Sequence, residues 1–237
     1  MLHRYLVTEL LKLRRSLALL LCVAAPGCVA ILNLLIALQR EGPAPLPMFG
    51  LSAAALWAFA MLPLTVTALS VLIAQVEHGP WTWDHLLTLP GARPRVYLAK
   101  AIVMMGLVAA MSALLLALVV ISAPLVGRLH EVEGALGEWA LAASFGRMTI
   151  AAFLLCMLQL WVALSFRSFV PPLVFGIAGT FVAVVATGAQ QGAYFPWLMA
   201  VNVLSEDPAR PQLAILLGGL GGLAALLMML AHLSRRA

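Results

Sequence analysis

Long apolar runs, separated by short polar segments, dominate the pattern of this sequence. A helix needs about 20 residues to cross the hydrocarbon core of a membrane. Six runs approach or exceed that length, at residues 16–38, 51–76, 97–123, 147–166, 169–188 and 211–233. Backbone amides in lipid must be hydrogen-bonded within their own segment, which favours helices for such runs. The pattern predicts an all-α integral membrane protein with six spans, forming a single domain over residues 1–237.

Residues 1–15 have a different pattern, in which apolar and charged positions alternate with helical spacing. Leu2, Leu6, Leu10 and Leu13 recur along one side, and basic residues cluster at the end. This spacing predicts an amphipathic helix that lies along the inner leaflet as an anchor. The run that follows continues to about Leu38, which is too long for the core of a cleavable signal peptide.

The segment at residues 189–210 is too apolar for a solvated loop and too short to cross the membrane. It contains Tyr194, Pro196 and Trp197. We expect an outer re-entrant or interfacial segment before the last span, with the tyrosine and the tryptophan at headgroup depth. The loop at residues 124–146 carries Leu129 and Trp139 and is expected to contain a second, short interfacial helix.

Composition excludes a water-soluble fold. Hydrophobic residues make up 64% of the chain and charged residues 10%, whereas soluble domains contain about 25% charged residues. The three cysteines all lie in apolar runs, where a thiol acts as a small hydrophobic side chain. Neither a disulfide nor a metal site is expected.

The basic residues indicate which face of the membrane each loop occupies. The five inter-span loops and two termini divide into two sets by the side of the membrane that they occupy. The set that contains both termini and the loop at 77–96 has ten basic residues: Arg4, Lys12, Arg14, Arg15, Arg93, Arg95, Lys100, Arg167, Arg235 and Arg236. The other set has four, Arg40, Arg128, Arg147 and Arg210. The positive-inside rule therefore places both termini and the 77–96 loop in the cytoplasm. This topology explains the basic balance without a nucleic-acid partner.

No catalytic constellation is apparent in the sequence. A phosphate-binding GxxxxGK[ST] loop is absent, and the glycine run that includes Gly218 and Gly222 lies inside an apolar span, where it favours close helix packing. Ala109, Ala113 and Ala117 form a similar small-residue stripe. The polar residues within spans are Asn33, Gln75 and Gln159, which are expected to join helices by hydrogen bonds, with a translocation path as the alternative. Any energy for transport must come from another protein.

The loop at 77–96 is the strongest candidate for a functional site. Pro80 suits the start of a short helix and Pro90-Gly91 its end. Such a helix would present tryptophan and leucine side chains to the cytoplasm, and exposed apolar patches commonly mark docking surfaces. A helix that rests on lipid is the alternative.

This loop resembles the first cytoplasmic loop of type-2 ABC exporter permeases, on the pattern Glu77, Trp81, Leu86-Leu87, Pro90, Arg93 and Lys100. Within that group the chain is similar to the small permeases of lantibiotic-immunity and bacitracin-resistance transporters. The opening residues 9–16 and the Tyr194–Trp197 segment are also similar. The resemblance implies a coupling helix that inserts into a separate ATP-binding subunit and whose contacts are Glu77, Trp81, Trp83, Asp84, Leu86, Leu87, Leu89, Pro90 and Arg93.

The resemblance also implies a working unit of two permease chains, the same or homologous, and two ATPase chains that bind ATP and Mg²⁺. The expected location is the bacterial cytoplasmic membrane, and the expected activity is export of an amphiphilic or hydrophobic substrate such as a peptide antibiotic, a lipid or a drug. Two alternatives stay open, a membrane-embedded lipid-modifying enzyme and a regulatory scaffold that transports nothing. The substrate is not readable from the sequence.

Overall fold

The computed structural model describes residues 2–14, 16–78 and 93–235, and almost all of them are helical. The first half contains four α-helices, α1 (Leu2–Leu13), α2 (Leu17–Leu38), α3 (Leu46–Leu56) and α4 (Leu62–His78). A π-helical turn, Trp57–Met61, joins α3 to α4 without a break, so that residues Leu46–Val76 form one long apolar helix. Helix α5 (Arg93–Leu129) follows.

The second half is more interrupted. It contains α6 (Glu138–Ala151), α7 (Phe153–Ser165), α8 (Val170–Ala186), α9 (Met199–Asn202), α10 (Ala209–Leu216) and α11 (Gly222–Arg235). Two 3₁₀ turns, Gln190–Tyr194 and Pro196–Leu198, precede α9, and a π-helical turn, Leu217–Gly221, joins α10 to α11.

Among the described residues, five helices are long and apolar enough to cross a membrane. They are Leu17–Leu38 (span 1), Leu46–Val76 (span 2), Pro94–Leu129 (span 3), Glu138–Ser165 (span 4) and Ala209–Arg235 (span 6). Span 5 is the shorter apolar helix α8, whose 17 residues are at the lower limit for crossing. The prediction of an all-α membrane protein is confirmed.

Several helix ends differ from the predicted ones. Span 2 begins five residues before the predicted residue 51, because Pro47 is accepted in the first turn of a helix. Span 3 continues to Leu129, and α6 begins at Glu138. The expected interfacial helix between spans 3 and 4 is therefore absent from residues 130–137, and its apolar residues belong to the ends of the two spans.

The bundle has two faces that differ in their structure. The terminal face, as we name it, carries α1 and the ends of spans 2, 3, 4 and 6, where Trp161 donates a hydrogen bond to His232 over 2.9 Å. At the opposite face, Ala44–Pro45 pairs in parallel with Val132–Glu133. The pairing includes a hydrogen bond of 2.8 Å from the Ala44 amide to the Glu131 carbonyl, and it joins two loops that the sequence analysis left unconnected.

Span 2 forms the centre of the packed core. Trp57, Leu62 and Leu69 on this span are fully buried. The Trp57 indole also donates a hydrogen bond of 3.2 Å to the hydroxyl of Ser112 on span 3. Burial of the large indole ring stabilises the fold because its only polar group, the N–H, keeps a hydrogen bond. The contact therefore fixes spans 2 and 3 relative to each other.

The glycine run of span 6 packs against the break in span 4 between α6 and α7. A Cβ atom at Gly218 would lie within 3.0 Å of the backbone of Ala151, and one at Gly222 would meet Phe153 at similar range. Such distances are never seen for real Cβ atoms, so the two backbones can approach this closely only without side chains. The predicted role of Gly218 and Gly222 in close helix packing is confirmed.

Gly218→Ala is expected to destabilise the protein by about 1–3 kcal/mol, the usual cost of overpacking a rigid contact. Gly219→Ala is the matched control, because its Cβ would meet only Ile150 Cγ2 at an ordinary 3.7 Å. Alanine also favours a helix more than glycine does, so the control should be as stable as the wild type or slightly more stable. Thermal unfolding in detergent measures both, and equal losses would contradict the packing account.

Candidate functional site

The predicted coupling segment lies largely outside the described residues. This applies to Trp81, Trp83, Asp84, Leu86, Leu87, Leu89 and Pro90, which all fall in residues 79–92. Glu77 and Arg93 are described only as backbone positions, in the last turn of α4 and the first turn of α5. Their roles stay predictions. The two helix ends at the base of this segment, however, belong to the described structure.

A buried ion pair lies close to that base. Lys100 follows Arg93 by two helical turns on α5, and its side chain is fully buried. The Lys100 ammonium lies 2.8 Å from Glu9 Oε2 on α1 and donates a second hydrogen bond, of 3.3 Å, to the Ile73 carbonyl of α4. A single side chain therefore joins α1, span 2 and span 3.

The other oxygen of the Glu9 carboxylate is also paired. Lys12 donates to Glu9 Oε1 over 2.9 Å from one turn further along α1. Burial by itself favours a neutral carboxyl, but the ammonium groups of Lys100 and Lys12 outweigh it and hold the pKa of Glu9 below its usual range. The carboxylate is thus ionised at neutral pH, with both oxygens hydrogen-bonded.

The ion pair changes the interpretation of α1. The sequence analysis treated this helix as an amphipathic anchor on lipid, and used Lys100 for the topology and for the family resemblance but not as a partner of α1. In the structure, α1 packs against α5, with Glu9 only 6% exposed and Leu13 buried beside it. One sequence signal pointed to this contact. Residues 2, 6, 9 and 13 follow helical spacing, which places the acidic Glu9 on the leucine side of the helix.

A second polar contact connects span 2 to the loop between spans 4 and 5. Gln75 donates a hydrogen bond of 3.2 Å to the Arg167 carbonyl. This residue was expected either to join helices or to line a translocation path. It lies near the end of α4, three residues before His78, so it holds the same part of span 2 that Lys100 contacts.

Asn33 forms a separate polar cluster towards the opposite face. Its side-chain amide donates to the Phe49 carbonyl over 3.1 Å and accepts a hydrogen bond of 2.6 Å from the Ser52 hydroxyl. The side chain is 1% exposed, and it borders a cavity of about 300 Å³ between the ends of spans 1 and 2. The cluster joins these two spans.

Gln159 joins spans 4 and 5. Its amide donates a hydrogen bond of 2.6 Å to the Pro172 carbonyl, and its buried carbonyl oxygen has no partner in the described part of the chain. Asn33, Gln75 and Gln159 therefore connect three different pairs of segments. Each of them makes a hydrogen bond between segments, as expected of linking residues, and their place on a translocation path stays a prediction.

The segment before span 6 packs back onto the bundle. The Trp197 ring is 4% exposed and stacks on Phe195, with their ring centres 5.3 Å apart. Its indole donates a hydrogen bond of 3.2 Å to the Gly176 carbonyl, and the ring lies against Gly179, where any Cβ would collide with it. The ring therefore faces protein, and its expected depth at the headgroup layer stays a prediction.

Tyr194 and Pro196 have different environments in the same segment. The Tyr194 side chain is 64% exposed, as an interfacial position requires. Pro196 begins the 3₁₀ turn that carries Trp197 into the bundle. Asn202, on α9, closes the segment by donating a hydrogen bond of 3.1 Å to the Gly192 carbonyl. The segment is thus tied both to α8 and to itself, as a re-entrant element would be.

Comparison with known proteins adds a family match that includes this site. A family model described as "ABC-2 family transporter protein" matches residues 5–183. This range is more than half of the 237-residue chain and contains both Glu9 and Lys100. Among curated proteins, the sequence has no match.

Proposed function

Because the chain belongs to the ABC-2 transporter family, we propose that it is the membrane subunit of an exporter whose ATP-binding subunit is a separate chain. The sequence contains no GxxxxGK[ST] loop of its own. The observation that carries the proposal is the buried Glu9–Lys100 pair, which joins three helices at the base of the predicted coupling segment.

The pair supports a specific route for mechanical work. A displacement of the coupling segment would act first on the end of α4 and the start of α5, the two helices from which it extends. Lys100 holds these helices together through the Ile73 carbonyl and holds α1 to both through Glu9. The three elements would then move as one unit when the ATPase closes on ATP, with the termini and the coupling segment in the cytoplasm.

Two features favour an amphiphilic or hydrophobic substrate. A groove of about 360 Å³ lies between spans 1, 2 and 5, and every residue that lines it is leucine, alanine or valine, including Leu20, Ala68 and Leu173. The outward sides of spans 1 and 5 are also apolar and exposed, for example at Leu17 and Val185. A second permease chain, the same or homologous, would cover this side and enclose the groove, completing a unit of two permease and two ATPase chains.

Replacing Leu86 and Leu87 together with aspartate is expected to release the ATPase. Two carboxylates placed in the apolar contact of a docking helix would lose their water without gaining hydrogen-bond partners. That cost weakens the affinity of a complex far beyond tenfold. The measurement is co-purification of the tagged chain with its partner ABC ATPase after co-expression.

The control for this experiment makes a similar change at the opposite face. Leu129 is 59% exposed at the end of α5, and Leu129→Asp should leave the bound ATPase unchanged. Normal insertion of all variants is checked by their yield in the membrane fraction. Retention of the ATPase by the Leu86→Asp/Leu87→Asp variant would exclude residues 80–90 as the docking element.

A further inference from the structure

A second groove lies on the far side of the bundle, between span 3 and the start of span 4. It has a volume of about 370 Å³, at the lower end of the range for ligand sites. Ala113 and Ala117 form its floor, and Glu138 and Trp139 lie at its mouth. The sequence analysis singled out these alanines as a helix-packing stripe, yet both are exposed, with no described helix covering them.

The depth of the mouth can be estimated from the length of α5. Ile121 lines the groove near Glu138 and follows Lys100 by 21 residues, which is about 30 Å along an α-helix. This distance equals the thickness of the hydrocarbon core. With Lys100 near one boundary of the membrane, the floor of the groove lies among the acyl chains and its mouth at the opposite headgroup layer.

The chemistry of the mouth selects for a positive charge. Glu138 makes no ion pair with any residue in the described ranges, and its side chain is exposed. The neighbouring Trp139 is 90% exposed and offers the face of its indole ring. A carboxylate beside an accessible indole is a favourable site for an ammonium group, by charge attraction and by cation–π contact. An anionic headgroup would be repelled by the same carboxylate.

We propose that this groove binds one membrane lipid with an ammonium headgroup. The acyl chain lies on Ala113 and Ala117, and the ammonium group lies between the Glu138 carboxylate and the Trp139 ring. The combination favours a zwitterionic lipid over an anionic one. This site is separate from the substrate groove and from ATPase docking.

The test measures lipid binding to the full chain, purified in detergent without its ATPase. Native mass spectrometry counts bound lipid as micelles are doped with dioleoyl phosphatidylethanolamine or, separately, with dioleoyl phosphatidylglycerol. We expect one phosphatidylethanolamine molecule to bind at several-fold lower concentration than phosphatidylglycerol. Equal binding of the two lipids would overturn the proposal and leave Trp139 as an ordinary interfacial anchor.

Three variants separate the headgroup contacts from the groove. Glu138→Gln and Trp139→Leu should each weaken phosphatidylethanolamine binding roughly two- to fivefold, the range for one exposed ion pair or cation–π contact. Ala117→Phe fills the floor and should abolish the preference between the two lipids.

Matched controls lie at lipid-facing or solvent-facing positions elsewhere. Ala224→Phe, at an exposed residue on span 6, and Glu206→Gln, in the loop before span 6, should not change binding. All substituted side chains are exposed, so melting temperatures should match the wild type. Unchanged phosphatidylethanolamine binding in Ala117→Phe, or equal weakening in the controls, would also overturn the proposal.

Discussion

Glu9→Ala is expected to destabilise the protein by about 3–5 kcal/mol, the usual cost of leaving one partner of a buried ion pair unpaired. The substitution leaves the ammonium of Lys100 fully buried without the Glu9 carboxylate, although its hydrogen bond of 3.3 Å to the Ile73 carbonyl remains. Thermal and denaturant unfolding in detergent measure the loss. Glu41→Ala is the control, because Glu41 is exposed and its truncation should cost less than about 0.5 kcal/mol.

A double variant separates the stability of this pair from its role in coupling. Glu9→Leu combined with Lys100→Met replaces the charges with apolar side chains of similar size, and such replacements are often neutral or stabilising. We expect the double variant to recover most of the stability that Glu9→Ala loses. If the pair transmits motion, stimulation of the ATPase should nevertheless stay below the wild-type level, since α1 is then held by packing alone. Recovery of both the stability and the ATPase stimulation to the wild-type level would show that the pair contributes only to packing.

Trp197→Ala has the second large expected effect, a loss of about 3–5 kcal/mol, as found when a buried tryptophan is removed from a packed core. The variant opens a cavity beside Phe175 and Phe195 and removes one of the donors to the Gly176 carbonyl, which still accepts a hydrogen bond from the Thr180 hydroxyl. The matched control is Tyr194→Ala in the same segment, where the side chain is 64% exposed and its loss should cost little.

Unfolding measured in detergent compares the two aromatic variants directly. If the segment before span 6 packs back into the bundle, only Trp197→Ala lowers the melting temperature strongly. Equal and small effects would mean that both rings lie at the membrane surface, as the sequence alone suggested.

The helices were predictable because hydrophobic length is a local property. All six predicted runs are helical, five of them long enough to cross a membrane and the fifth run as the shorter helix α8, since a long apolar run has only one way to satisfy its backbone in lipid. The glycine packing of span 6 was predictable for a similar reason, because Gly218 and Gly222 are four residues apart and share one side of their helix.

The contacts that form the candidate site were harder to predict from the sequence, because each joins residues far apart in the chain. Glu9 and Lys100 are 91 positions apart. The spacing of residues 2, 6, 9 and 13 shows that Glu9 lies on the apolar side of α1, but it does not identify the partner. The packing of Trp197 onto protein was not predictable, because an aromatic residue near a membrane boundary has the same local sequence whether its ring faces lipid or a glycine of a neighbouring helix.

The central claim is that this chain receives work from a separate ATPase through residues 80–90. ATP hydrolysis in proteoliposomes tests it most directly, with the chain alone, its partner ABC ATPase alone, and the two together. The account predicts hydrolysis that rises when both are present, falls to the level of the ATPase alone in the Leu86→Asp/Leu87→Asp variant, and is unchanged in Leu129→Asp. Hydrolysis by the chain alone, or stimulation that persists in the Leu86→Asp/Leu87→Asp variant, would contradict it.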